Sequence, residues 1–597
     1  MHKPVWWPCL TLVLLGAWLF SFAMASIVPM AWVAKQASYD GQLSEIYLHF
    51  LTGSQKTFAV LLIVAGALAI VGREIGGFMQ RALLAPGQRA FYLIVFMAAT
   101  LLTWMIQAIL FDGIPHVTDA TTHLFQAKLL SMGKLYAPHP RCWQSFHQYW
   151  TLITESGRWF SYYPPGHALT FLPALFLGLT SWVCPMATGV VVVTSVSFID
   201  RFYDRATARW SGLLLLTSPL LLLLGASYMS HMTFLMYTLA GIRVGLLGIE
   251  REPRSKALLA AAGFLIAMAM LVRPQNIVFL GPTLAVAFLL APRDVKIKAL
   301  KAIPWAGLGA LPPLLFQAWW NHVLYGTAFT IGYGQAKIDN MTPIMSLSIG
   351  FNEAFQLRDA IQQFVVTMNR LNKVLFGWPG SLLLFPLAFL VRRFDRRDVL
   401  SGFVIGLVTT FFFFYFYYGL EYEARFFALT IPCFAVLTVR GCFRFNQLFR
   451  NSAGAPALLF GLLFALAGHG LFHYWPAYIW PNYAHDYEEA STLIHDKVEE
   501  AGLTNALVLI QGSDDRRRFR FTSGFIYNDP LLENDVIYGR DLPLKYECLF
   551  TEYADRTIYR FMATDQGWTD GRLEEFTWED AQKIEFDGEG YMQKTVN

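Results

Sequence analysis

The sequence predicts a polytopic α-helical membrane protein with large outer loops and a small C-terminal α/β unit outside the membrane. Three observations carry that prediction. Of 597 residues, 55% are hydrophobic and only 15% are charged, against roughly 25% charge in a soluble globular chain. Apolar runs such as 90–111, 211–228 and 257–272 are long enough, or nearly so, to cross a hydrocarbon core about 30 Å thick. Lys and Arg concentrate in every second loop between the runs, and short loops rich in positive charge stay on the cytoplasmic side.

About 13 transmembrane helices follow from hydropathy: 8–33, 57–72, 90–111, 186–203, 211–228, 231–249, 257–273, 276–291, 302–320, 375–391, 398–418, 425–441 and 454–474. In this register the basic loops 73–89, 201–209, 251–256, 293–301, 392–397 and 440–450 all lie inside. The apolar stretch 167–183 breaks the alternation if it is counted as a span. It is therefore read as a helix along the outer interface or a re-entrant segment. The N-terminus is then cytoplasmic and the tail periplasmic or extracellular, in a cell inner (plasma) membrane. The first apolar stretch, 5–33, is too long for a signal-peptide core and reads as a retained span.

Three units result: N-terminal helices over 1–89, a membrane core over 90–474 with outer loops 112–167 and 321–373, and a soluble α/β unit over 475–597. Loops of that length are usually functional. After Ala477 the chain holds 24 acidic against 12 basic side chains, so the tail is acidic and the membrane part basic. "NALVLI" and "RTIYRFM" read as strands, and "DYEEASTLIHDKVEEAG" as a helix. The six cysteines show neither metal-ligand spacing nor a dense disulfide pattern.

The chemistry-bearing motifs gather at the outer face. "HVTDATTH" packs His116, Asp119 and His123 beside the third span. Asp119 is either a helix cap or a general base at the membrane surface. The trio also has a spacing that leaves a divalent metal open, on the logic of mixed His/carboxylate sites. In "YYPPGH", Tyr162 and Tyr163 suit a headgroup belt, Pro164 and Pro165 start a helix, and His167 follows. "LVRPQN" places Arg273 at the outer end of a span, where positive charge is disfavoured and a phosphate is the natural partner of a guanidinium fork. "GLEYEARFF" places Glu421, Glu423 and Arg425 at an outer edge, where they pair with one another or where Arg425 binds an anion.

In order along the chain, "HVTDATTHLFQAKLLSMGKLY", "YPPGHALTFLPALFLGL", "LLTSPLLLLLGASYMSHMTFLMYTLA", "LVRPQN", "NHVLYGTAFTIGYG", "FGWPGSLLLFPLAFL" and "ARFFALTIP" resemble the GT-C superfamily of membrane glycosyltransferases. The resemblance lies near the dolichyl- or polyprenyl-phosphate-mannose–protein mannosyltransferases and the aminoarabinose transferases, and covers about residues 90–445. It implies a GT-C-like fold, a polyprenyl-phosphate-linked sugar donor, and transfer on the outer face to a glycan, lipid or protein acceptor. It maps the catalytic carboxylate onto Asp119 and the donor phosphate site onto Arg273, with Arg425 and His167 beside it. His116 and His123 become metal or donor contacts, and Tyr162, Tyr163, Pro165 and His231 substrate-loop candidates. Many relatives carry Asp-Glu at the catalytic position; this chain has Asp119-Ala120. The lipid bilayer is an expected partner and nucleic acid is not. The rival class is a polytopic transporter or flippase, which predicts charged, broken helices at the midplane in repeated halves; no such repeat is visible.

Overall fold

The computed structural model describes residues 81–250, 255–330, 349–352, 355–389 (379 excepted), 395–416, 421–448, 466–484, 487–511, 520–564 and 567–584, with a few isolated positions between them. The expected spans 8–33 and 57–72, most of 454–474 and much of the loop 321–373 lie outside the described residues.

The chain is mostly helical. Helix α1 (Gln88–Leu110) leads to α2 (Thr118–Ser131), and α3 (Gly166–Phe176) follows the outer loop. Next come α4 (Val183–Phe202), α5 (Arg205–Leu216), α6 (Pro219–Ala226), α7 (Ser230–Glu250) and α8 (Ser255–Val272). The membrane region ends with α9 (Ile277–Leu290), α10 (Arg293–Tyr325), α11 (Leu357–Val374), α12 (Arg396–Phe413) and α13 (Ile431–Leu448). Among the described residues six helices are long and apolar enough to cross a membrane, or seven if the bent pair α5–α6 is one span. The expected thirteen are not reached among them.

Local chemistry explains the differences. The expected span 211–228 is broken by 57° between α5 and α6. There the Ser218 hydroxyl accepts from the Leu221 amide and Pro219 occupies the first turn, so a new helix starts in mid-run. The expected span 375–391 is a correction: it holds turns and a short 3-10 helix, Phe385–Phe389. Gly377 has φ +70°, and the Asn372 side chain accepts from the Leu382 amide at 3.0 Å, so the chain doubles back on the end of α11. Helix α3 has 11 residues, about 16 Å at the usual helical rise, and is too short to cross.

The outer loop carries an antiparallel sheet ordered β1 (Ala137–Pro138), β3 (Arg158–Ser161), β2 (Thr151–Ile153). The tail carries a four-stranded sheet ordered β5 (Val536–Arg540), β4 (Ala506–Ile510), β6 (Thr557–Thr564), β7 (Gly567–Glu575). Strand β4 runs parallel to β5 and β6, and β7 is antiparallel to β6. Loop and tail share one apolar core, in which Phe125, Leu129, Phe146 and Trp159 pack with Leu507, Leu509, Phe525 and Phe561. A Cys142–Cys548 disulfide closes the same interface. A second, larger core joins α1, α4 and α6 to the region around Phe427 and Tyr474.

Candidate active site

Helix α2 presents two faces because it lies between two cores. On one, Phe125 packs on Phe525 at 5.5 Å, and the Lys128 ammonium donates to the carbonyls of Ile526 and Asn528. On the other stand Asp119 and His123. Asp119 does not cap the helix: the cap position is Val117, with no side-chain cap hydrogen bond. Instead the Tyr163 hydroxyl donates to Asp119 Oδ1 at 2.7 Å. Asp119 is partly exposed, and its Oδ2 makes no hydrogen bond among the described residues.

From Tyr163 the site continues through stacked rings. The His123 ring lies 4.5 Å from Tyr163 and 4.7 Å from His167, edge to face with the latter. His167 is fixed at both ends. Its Nε2 donates to the Tyr228 carbonyl at 3.0 Å, so Nδ1 accepts from the Thr233 hydroxyl at 2.9 Å. Burial, opposed by the Tyr228 bond and helped by Arg273, pulls this imidazole down to about 4. Burial, with His167 and Arg273 adding to it, holds His123 well below its ordinary value too. Both rings are therefore neutral at pH 7, and His123 Nδ1 is buried with no hydrogen-bond partner among the described residues.

Arg273 caps the end of α8 and donates to Ser230 Oγ at 2.9 Å. A glycine brings it to the histidines. A Cβ on Gly166 would stand 2.4 Å from the Leu271 carbonyl carbon and the Val272 amide nitrogen, so only glycine lets the start of α3 lie on the backbone just before Arg273. Beyond Arg273 opens a narrow groove of about 70 Å³, lined by His231, Arg273, Gln275, Phe411, Phe412 and Phe426. Among the described residues neither ring nitrogen of His231 has a hydrogen-bond partner, and the ring feels the charges of both Arg273 and Arg425.

The structure thus brings Asp119, Tyr163, His123, His167, Arg273 and His231 together. Pro165 stands at the cap of α3, and its carbonyl accepts from Leu169. Other candidates are placed elsewhere. Tyr162 is no headgroup anchor: it is buried in a small core with Phe160, Trp320 and Leu324. His116 has both ring nitrogens within hydrogen-bond distance of backbone carbonyls, Tyr487 at 2.8 Å and Phe111 at 2.9 Å. Among the described residues no three His, Cys, Asp or Glu side chains group so as to hold one metal ion, so the His116–Asp119–His123 trio does not assemble. Arg425 is buried against Glu421 at 3.0 Å, the ion pair that "GLEYEARFF" allowed. Ser230 and Thr233, which orient Arg273 and His167, were not singled out in the sequence. Their only signal is their position around His231 in "SHMT".

Fold and site together define a helical bundle with several helices long and apolar enough to cross a membrane, one partly exposed carboxylate and an arginine–histidine pocket behind it. No sequence family and no curated protein matches this chain. Among solved structures, it is similar to ArnT of Cupriavidus metallidurans in the apo state, with 11% identity, 80% of this chain and 93% of that chain covered, and a TM-score of 0.47. The same protein bound to undecaprenyl phosphate gives 12%, 80%, 93% and 0.43. The oligosaccharyltransferase of Archaeoglobus fulgidus, solved with zinc and sulfate, gives 14%, 78%, 68% and 0.42.

Proposed function

We propose that this chain is a membrane glycosyltransferase that moves a sugar from a polyprenyl-phosphate donor to a hydroxyl of an envelope glycan, lipid or protein. The observation that carries the reading is the pairing of a partly exposed carboxylate, Asp119, with a groove that combines phenylalanine walls and the Arg273–His231 pair. An isoprenoid chain suits the phenylalanines, and a phosphate suits a guanidinium flanked by ring nitrogens that lack partners.

In this reading the acceptor hydroxyl attacks the anomeric carbon as Asp119 Oδ2 takes its proton. The new bond joins acceptor oxygen to C1, the bond from C1 to the phosphate oxygen breaks, and its electron pair leaves on the lipid phosphate. The transition state is oxocarbenium-like. Arg273, with Arg425 adding to the field, stabilises the charge that grows on phosphate. Tyr163 holds Oδ1 and so aims Oδ2. His167, fixed by Tyr228 and Thr233, is a positioning residue for His123 and Arg273.

The site faces an oxidising compartment in this reading, since the disulfide joins the loop that carries Asp119 to the tail. Inner-membrane residence with the tail in the periplasm fits that and the basic inner loops. The test is donor profiling: cells carrying Asp119→Asn in place of the native chain accumulate a polyprenyl-phosphate sugar and lose that sugar from an envelope product. Unchanged donor pools and an unchanged product overturn the reading.

A further inference from the structure

The tail sheet ends in an arginine whose charge nothing among the described residues answers. Arg540 closes β5, opposite Ile510 at the carboxyl end of β4. Its neighbours are neutralised: Arg560 binds Asp541 at 2.7 Å and Arg520 binds Glu489 at 2.6 Å. Arg540 makes no ion pair and no hydrogen bond among the described residues, and its Nε and one Nη are buried. Its guanidinium lies over two rings instead, Tyr149 at 5.6 Å and Phe521 at 5.2 Å. Burial lowers it to about 10, and His147 beside it is pulled to about 4; among the described residues no carboxylate pairs with it.

A buried guanidinium without acceptors costs free energy that an incoming anion recovers. The place is also where open sheets bind ligands, outside the carboxyl ends of parallel strands. It adjoins the catalytic helix. The Tyr149 carbonyl accepts from the Thr122 hydroxyl at 2.8 Å, and Thr122 is three residues on from Asp119. Arg540 therefore stands on the tail side of α2, whereas Arg273 lies beyond Tyr163 and the histidines.

We infer that Arg540 is the anchor of an acceptor subsite, and that the acceptor carries an oxyanion, a phosphate or a carboxylate, near the hydroxyl that is glycosylated. The assignment of this anion to an acceptor rests on the transferase reading; the anion site itself does not. Stacking on Tyr149 and Phe521 holds the guanidinium plane ready for bidentate contact.

The test uses the full chain in lipid nanodiscs, with Arg273→Gln as background so that the donor pocket does not answer for phosphate. Inorganic phosphate and acetate are titrated separately while the melting temperature is read. Phosphate or acetate is expected to raise it saturably, and adding Arg540→Gln weakens the apparent affinity at least about tenfold. Arg540→Lys, which keeps charge and loses the fork, gives an intermediate value and serves if the glutamine variant does not fold. A response to phosphate alone assigns a phosphorylated acceptor, and a response to acetate assigns a carboxylated one. No saturable response to either, or equal curves with and without Arg540, overturns the proposal. Because the titration needs no turnover, its outcome is independent of the Asp119→Asn donor profile.

Discussion

Across 44 residues of chain, the Tyr163 hydroxyl donates to Asp119 Oδ1 at 2.7 Å. This contact joins α2 to the start of α3 and occupies one carboxylate oxygen while leaving the other without a hydrogen bond among the described residues. It also explains why tandem aromatic residues precede the prolines: Tyr162 fills a core and Tyr163 reaches the carboxylate.

Substitutions at Asp119 and at Tyr163 are expected to have separable effects. Asp119→Asn is expected to lower transfer by about 10²- to 10⁴-fold with unchanged thermal stability. Tyr163→Phe removes one hydrogen bond to a charged group, worth about 1.5–3 kcal/mol, and so lowers kcat by roughly ten- to hundredfold. Turnover of a single radiolabelled donor pool measures both. Equal activity of Tyr163→Phe and the native chain removes the positioning role.

Arg273→Gln is expected to weaken binding of a short-chain polyprenyl phosphate by more than about tenfold, the worth of one charge-assisted contact. Arg273→Lys recovers part of it, because the charge returns without the fork. Equilibrium binding to purified protein decides; undiminished affinity in the glutamine variant moves the phosphate elsewhere.

Gly166→Ala puts a methyl 2.4 Å from the Leu271 and Val272 backbone. Overpacking of this kind costs about 1–3 kcal/mol, seen as a lower melting temperature. Arg273 moves with that backbone, so lipid-phosphate affinity falls as well. An unchanged affinity in a destabilised variant uncouples the two.

Acid sensitivity follows from His147, which burial first and Arg540 second hold at about 4 instead of 6.5. Between those values the unfolded chain binds a proton that the folded chain refuses, so stability is complete above about 6.5 and falls as pH drops toward 4. The slope of melting temperature against pH in that window is expected to flatten in His147→Gln. An identical slope shows that other groups dominate.

Reduction of Cys142–Cys548, or Cys142→Ser, is expected to lower the stability of the loop–tail interface by about 2–4 kcal/mol. Limited proteolysis of the tail reads this directly. The apolar core around Phe125 and Leu509 persists, so the tail loosens without leaving.

Much of the membrane region is legible because its signals are local. The runs 90–111 and 231–249 become helices Gln88–Leu110 and Ser230–Glu250 within a few residues. The sequence 375–391 misleads because hydropathy sums apolar content without register, whereas Gly377 and the Asn372 side chain decide the backbone there. Asp119 and Arg273 stand out as charges beside apolar runs. Arg540 does not, since its isolation depends on which neighbours are already paired. The disulfide escapes for a simpler reason: a separation of 406 residues carries no spacing signal.

That separation also orders the birth of the molecule. Phe125, Leu129 and Trp159 form half of a core whose other half is translated several hundred residues later. At about 5–20 residues per second, Cys142 waits roughly 20–80 s for Cys548. During that interval the flank of α2 that carries Phe125 and Leu129 is bare, while Tyr163 already holds Asp119 on the other face. Burial of that flank of α2 therefore waits on strands that lie far downstream in the chain.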